Sequence, residues 1–499
     1  MISEDDFSSV EFLTTAEKLA ENLQSDARAE AVSILAARYA KLGLVDHAID
    51  LAETISDPFT RDNTLLEIVT GSIAFAAADY RESLLEMVDE PGMRSVAIEE
   101  IAVKYAEVGD LDNSLEFVDQ LDDADAALSR IAVVSGSFSP RSIELASAIA
   151  DPEIRATTFG QLAIAAQRAE ARSEAEELRA EALRVAGEIE FSQNKIYALV
   201  GIASLHDEAG DTEQALEILS QALEESENFE AMPAAGLSSS FPRGQALAQI
   251  VGGFARLGDF DKADLAAEQI EDPFQFANAS SKEALEYFRE GQVDQALTLL
   301  SEALELVLDE PVYGEQGVLV KDSMLTELAL DFAIVGQFEK GLEVIEKLSS
   351  DASRNAALEH VGKQCARAGN ANEVFQAAES ITDDSSTTSY WLTITDVLRQ
   401  SDESDLTPRA LSEASRSAAT IEDDYERTLS LIEVAHRFAL TENSAKASEL
   451  FTRALTTVSE LQRDDQKALA LLKADERFRE LNRKPSEEER QLLKQLQNS

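Results

Sequence analysis

The chain has 499 residues and carries 96 Asp and Glu against 43 Lys and Arg, a formal charge of −53. That balance disfavours direct contact with nucleic acid or anionic lipid, and 44% apolar residues exclude a disordered polymer. A single cysteine, Cys365, excludes a disulfide framework within the chain, and no run approaches the ~18 apolar residues that span a membrane.

Aromatic residues make up only 6%, and 10 Pro and 21 Gly are too few to break the chain into short strands. Long Ala- and Leu-rich helices follow. Of the 43 basic residues only 15 are Lys. Self-repulsion at −53 strains a compact chain in dilute salt, whereas molar salt shrinks the Debye length to about 3 Å. The composition therefore fits the salt-filled cytoplasm of a halophilic archaeon. The N-terminus, Met-Ile-Ser-Glu-Asp-Asp-Phe, has no signal-peptide pattern, so a cytoplasmic location is expected.

In chain order, Thr14-Thr-Ala-Glu17 matches a capping box that opens a first helix, and residues 1–25 are expected to be an N-terminal capping helix. Helical repeats follow over 26–228. One refrain marks them: Tyr39-Ala-Lys-Leu-Gly-Leu-Val-Asp-His-Ala, then Tyr105-Ala-Glu-Val-Gly-Asp-Leu-Asp-Asn-Ser. It returns as Phe254-Ala-Arg-Leu-Gly-Asp-Phe-Asp-Lys-Ala and Phe332-Ala-Ile-Val-Gly-Gln-Phe-Glu-Lys-Gly. Self-similarity at a fixed period signals a repeat architecture. Gly43 and Gly109 lie 66 residues apart, and Gly258 to Gly291 and Gly336 to Gly369 are steps of 33.

The clearest unit runs from Leu199 through Gly210 to Leu223. Apolar residues recur at spacings of three and four on both sides of Gly210, which predicts two amphipathic helices around a tight turn. Ala203, Ala215 and Ala222 let the helix axes approach. Ala284, Tyr287, Gly291, Ala296, Leu300 and Ala303 repeat the pattern, as do Ala435, Phe438, Ala447, Phe451 and Ala454 with Glu442 in the Gly position. These units resemble tetratricopeptide repeats, although the early Trp and the Leu-Gly pair of that family are mostly missing. The fold class expected is all-α, an α-solenoid (a right-handed superhelix) of about twelve antiparallel helix pairs.

A shorter form alternates with the first and closes on Asp, often Asp-Pro: Ile55-Ser-Asp-Pro58, Ile149-Ala-Asp-Pro152, Ile270-Glu-Asp-Pro273. Asp caps the next helix and Pro suits its first turn. Arg61, Arg94, Arg155, Arg354 and Arg427 follow within that turn, and an ion pair with an acid on the preceding helix is the expected role, with a ligand-binding ladder as the alternative. Register breaks after Gly210 and Gly291 contain a loop insertion at 229–243 and a connector from Asp309 to Gly317. A binding loop or a longer helix pair with a plain connector fits either break. Repeats resume over 244–459. From Arg463 the charge changes: residues 463–499 carry +1 and the rest −54. Residues 460–499 are expected to be two C-terminal helices split at Pro485, the second opened by Ser486-Glu-Glu-Glu489. They serve as a cap or dimerising element, or as a docking tail.

Chemistry is hard to find. His47, His206, His360 and His436 lie in different repeats with no second ligand at metal spacing. His206 and Cys365 occupy the ring position of their units and are expected to be packing residues. Trp391 is a core residue or a partner anchor. No phosphate loop, dinucleotide turn or nucleophile elbow appears. The chain is therefore expected to be no enzyme and to need no cofactor or metal. The resemblance implies a scaffold that binds a peptide or protein along the first helix of each pair. It would place Arg256, Asn278, Ser281, Phe288 and Arg289 in a concave groove, with Arg256 and Arg289 as carboxylate clamps. The alternative is an acidic surface that mimics nucleic acid or shields a basic protein. A homodimer through the C-terminal helices is compatible with either.

Overall fold

A computed structural model describes residues 7–23, 25–72, 78–135, 138–227, 229, 241–400 and 406–498. Among them every regular element is helical. The first helix, α1 (Phe7–Ala20), precedes twelve hairpins in chain order. These are α2 (Ser25–Lys41) with α3 (Val45–Glu53), α4 (Pro58–Ser72) with α5 (Ala78–Met87), and α6 (Pro91–Glu107) with α7 (Leu111–Val118). Next come α8 (Asp125–Val134) with α9 (Pro140–Ala148), α10 (Pro152–Arg168) with α11 (Arg172–Ala186), and α12 (Ser192–Glu208) with α13 (Thr212–Glu227). They continue as α14 (Phe241–Arg256) with α15 (Phe260–Ala267), α16 (Pro273–Arg289) with α17 (Val293–Asp309), and α18 (Gly314–Ile334) with α19 (Phe338–Ile345). The last three are α20 (Asp351–Arg367) with α21 (Ala371–Glu379), α22 (Asp384–Gln400) with α23 (Thr407–Thr420), and α24 (Asp424–Leu440) with α25 (Ser444–Glu460). Helices α26 (Asp464–Glu480) and α27 (Glu487–Asn498) end the described chain. The chain is thus a series of helix pairs that fall into two compact units. One comprises Met1–Ala97 and Leu358–Ser499, the other Ile98–Ala357.

The refrain sets the turn chemistry. Seven hairpin turns hold a Gly with φ between 75° and 83°, a conformation that a Cβ disfavours. Glu170 (φ 60°) and Glu442 (φ 61°) take the same conformation in turns that lack Gly. The next N–H then bonds back to the carbonyl of the ring position: Asp110 to Tyr105 at 2.9 Å, Asp259 to Phe254 at 3.0 Å, Gln337 to Phe332 at 2.7 Å. Asp211 reaches His206 and Asn370 reaches Cys365 in the same way, both at 2.9 Å. The two non-aromatic residues therefore share the backbone role and the burial of the rings they replace.

The two repeat forms differ in their second helix. It has 8 residues in α15 and α19, against 16 in α13 and 17 in α17. After the short form, Asp151 accepts from the N–H groups of Glu153 and Ile154 (2.8 and 3.0 Å), and Asp272 from those of Phe274 and Gln275 (both 3.1 Å). The following Arg corrects the expectation of an ion pair with the preceding helix. Arg94, Arg155, Arg354 and Arg427 each donate to a main-chain carbonyl six residues back, on Val88, Ile149, Leu348 and Ile421, at 2.7 to 2.8 Å. Orphan carbonyls at a helix C-terminus carry partial negative charge that a guanidinium complements. Arg155 also pairs with Glu188 after α11, and Arg354 and Arg427 with Asp351 and Asp424 of their own helices, while Arg61 pairs with Asp62 and Asp89.

Three other expectations change. Thr14 and Thr15 lie inside α1, where their hydroxyls donate to the Glu11 carbonyl at 3.2 and 2.7 Å, so they do not open the helix. Residues 314–317 belong to α18, which reduces the connector after α17 to four residues. Most of the 229–243 insertion, residues 230–240, lies outside the described residues. The second capping box does form. The Ser486 N–H donates to Glu489 at 2.7 Å and the Glu489 N–H to Ser486 Oγ at 3.2 Å, opening α27.

Within the first unit the two ends of the chain meet. Helix α1 packs along α26 as a second helix packs on its first, and both contact α2. The Phe12 ring lies 4.9 Å from Phe478, which in turn meets Phe451 at 4.7 Å. Glu17 of α1 accepts from the Tyr39 hydroxyl at 2.7 Å, and Arg38 pairs with Glu476 at 3.2 Å. Helix α27 lies against α1 and α25, where Arg490 pairs with Glu11 at 3.3 Å and Gln497 donates to Thr15 at 2.8 Å.

Candidate functional site

In the second unit, first helices α10, α12, α14, α16 and α18 pack side by side. The residue nine positions before each left-handed turn is in turn Gln161, Gly201, Gln249, Lys282 and Glu327. These positions form a row across five helices. Gln161, Gly201 and Glu327 are exposed, whereas Gln249 and Lys282 are half-buried. Lys282 Nζ donates to Gln249 Oε1 at 3.0 Å, and its stem passes Gly252, where a Cβ would come within 3.1 Å of Lys282 Cδ. Burial holds the Lys282 ammonium below its usual range, and the Glu327 charge partly restores it. A desolvated ammonium with one neutral partner retains donor capacity for a carbonyl or carboxylate.

Acids lie beneath this row. Ser281 donates to Asp331, which is 7% exposed. Burial pushes Asp331 up to about 7, the Ser281 hydrogen bond opposes that rise, and the Glu327 charge adds to it. Glu283, 2% exposed, is also pushed up to about 7, by burial first and by Asp264 second.

The five residues assigned from sequence do not converge. Arg256 turns to Asp207 of α12 at 3.3 Å. Ser281 is buried and committed to Asp331 of α18. Asn278 and Phe288 are half-buried on α16, and exposed Arg289 pairs with Glu286 of its own helix. Arg168, Arg256, Arg289 and Arg367 all stand two residues before a turn residue. A cation there complements the helix dipole, which accounts for the recurrence without a ligand. Sequence reasoning missed Gln249 and Lys282. Their shared register with respect to the turn was the available signal.

Elsewhere the chemistry-bearing residues have local partners. Cys365 is buried and its thiol is pushed up to about 12, chiefly by desolvation. His47 meets Glu17 at 3.1 Å, His206 meets Asp211 at 3.1 Å and His436 meets Glu480 at 3.2 Å. Trp391 is buried against Phe375 and Tyr390, with ring centroids 4.8 and 5.2 Å away. In the first unit a cleft of about 910 Å³ is lined by Arg399, Arg416 and Lys446, each held by an acid three residues away along its helix. Among the described residues no group of three or more His, Cys, Asp or Glu could hold a metal ion, and no helix is long and apolar enough to cross a membrane.

No protein-family model matches the chain, and no curated protein matches it. Solved helical structures do. Ton1535 of Thermococcus onnurineus is 18% identical, covering 71% of this chain and 96% of its own, with a TM-score of 0.25. Human IFIT1, solved as a dimer with PPP-AAAA, is 14% identical over 91% of this chain and 95% of its own (TM-score 0.29). A signal-transduction ATPase with a tetratricopeptide repeat sensor from Pyrococcus horikoshii is 13% identical over 90% of this chain and 73% of its own (TM-score 0.26). With scores below 0.3, none of them locates a binding face here, and the site rests on this chain's own residues.

Proposed function

We propose that the chain is a non-enzymatic interaction scaffold whose first-helix face in the second unit holds an extended segment or helix of a protein partner. The row from Gln161 to Glu327 carries this reading. Packed helices stand about 8–10 Å apart, so the row is far longer than a small molecule and matches a peptide. Lys282, near its middle, supplies the donor for a partner's carbonyl or carboxylate, with Arg256 and Arg289 toward the helix ends. These cations support peptide binding over an acidic mimic of nucleic acid, which requires an unbroken acidic stripe. Helices α1 and α26 pair between α24 and α2, and the acidic surface is a salt adaptation of a cytoplasmic protein.

The test is crosslinking and mass spectrometry in the native host at native salt, followed by binding of the identified partner to variants. Lys282→Glu should weaken that binding at least tenfold. Unchanged affinity in Lys282→Glu would remove the assignment of this face.

A further inference from the structure

Arg179, on α11, carries a charge that the chain leaves unanswered. The residue is 8% exposed. Its Nη1 donates to Gln167 Oε1 at 3.0 Å, and its Nε has no partner. Gln167 is fixed in that orientation because its own amide donates to the Glu208 carbonyl at 2.9 Å. No carboxylate of the described residues pairs with Arg179, although acids outnumber bases 96 to 43. The Nε–Nη2 edge that stays unpaired is the edge by which Arg61 holds Asp62, at 3.1 and 2.9 Å. A guanidinium removed from water and left with one neutral acceptor favours an anion strongly.

Arg179 lines a cavity of about 340 Å³ together with exposed Arg168, Gln167, Glu208 and the apolar side chains of Ile164 and Leu205. Ile164 and Leu205 also line a second cavity, of about 310 Å³, between α10 and α12. The walls of the second are mainly Ala156, Gly160, Ala198, Gly201 and Ile202, and Glu153, Thr157, Gln161, Asn194 and Tyr197 complete its lining. Two glycines line it: a Cβ on Gly201 would meet nothing within 4 Å, whereas one on Gly160 would lie 3.2 Å from Leu205 Cδ1. A cavity lined by two arginines and Glu208 therefore adjoins a more apolar one, the two sharing Ile164 and Leu205 and both within the size range of small-molecule sites.

We propose that this double cavity binds a small apolar monocarboxylate, its carboxylate on Arg179 and Arg168 and its hydrocarbon part in the Gly160–Gly201 chamber. The charge of −53 favours this occupant, because it repels an acidic macromolecule far more than a ligand with one negative charge. The chamber shares Gln161 and Gly201 with the peptide row, but Arg179 and Arg168 lie outside that row, and binding of a small ligand is tested without any protein partner.

The probe is 4-methylpentanoate, titrated calorimetrically at pH 7.5 in molar KCl, beside 4-methylpentanamide and acetate. The acid should bind at least tenfold more tightly than either control. Arg179→Gln should weaken it at least tenfold. Gly201→Leu should abolish binding while leaving the melting temperature equal or higher, since leucine is the better helix former and the added carbon meets open space. That variant keeps the test decisive if Arg179→Gln fails to fold. Equal binding of the amide would overturn the anion role, and equal binding of acetate would show a bare-anion site only. Unaltered binding by Gly201→Leu would place the ligand elsewhere.

Discussion

Replacing Phe12 by Ala tests whether α1 and α26 form one pair between α24 and α2. Phe12 is 1% exposed, and its ring packs on Phe478, which carries the contact on to Phe451. A buried Phe→Ala change costs about 3–5 kcal/mol. The other large apolar anchors of α1 are Leu13 and Leu19, at 0% and 5% exposure. Burying the three stabilises docking by about 5–9 kcal/mol, at roughly 1.5–3 per side chain. The Phe12→Ala cost is thus of the same order as the burial of all three. At about 1.4 kcal/mol per factor of ten, F12A should raise local opening by about two to three orders of magnitude. Hydrogen exchange at constant molar salt reads this directly. Amides of 7–20, 464–480 and 487–497 should lose protection together, while those of α10 to α18 keep theirs. Undiminished protection of α26 would refute the reasoning, and so would a loss confined to α1.

Asp331→Asn should flatten the pH dependence of stability. The folded carboxyl titrates near 7, above its ordinary value of 3.8, so its contribution is full below about pH 4 and is lost as pH rises through 7. The variant should gain up to about 4 kcal/mol at pH 8 and nothing near pH 4; parallel melting-temperature curves from pH 4 to 8.5 would contradict it. Gly362→Ala should lower the melting temperature, because its Cβ would lie 2.4 Å from the Tyr390 ring. Overpacking of this kind costs about 1–3 kcal/mol, and an unchanged melting temperature would argue against the close approach. Cys365, 2% exposed with its thiol held up to about 12, should ignore a thiol reagent at pH 8 until denaturant is added. Rapid labelling of the native protein would count against its burial.

Much of the architecture was legible along the chain because helical repeats are built from local rules. The Gly turn, the ring before it and the Asp cap after the short form each act within about ten residues, so the pairing of helices and the places of Cys365 and His206 could be read in order. About twelve helix pairs were expected, and the described helices fall into twelve successive pairs with α1, α26 and α27 beside them. Thr14 and Thr15 show the limit: the Thr-x-x-Glu spacing matches a cap, yet α1 begins seven residues earlier and the hydroxyls bond back to Glu11 instead. Arg155 shows another, since its carbonyl partner on Ile149 is set by how the Asp-Pro turn folds over the preceding helix end.

The candidate sites were far less legible. Arg256 and Arg289 stood out as rare cations, but the structure gives them acidic neighbours and a repeated place at helix C-termini. Lys282 meets Gln249 from 33 residues away, and Arg179 meets Gln167 across a hairpin. Such contacts depend on which faces of successive helices touch, and spacing within one helix does not encode that. The sequence alone determined a turn-punctuated helical repeat with an acidic surface, because backbone sterics, capping and charge act locally or in sum. Only tertiary packing decided that α1 pairs with α26, that Gly160 and Gly201 line a chamber, and that Arg179 is buried without a counter-ion, because each arises where residues distant in the chain share a space from which water is excluded.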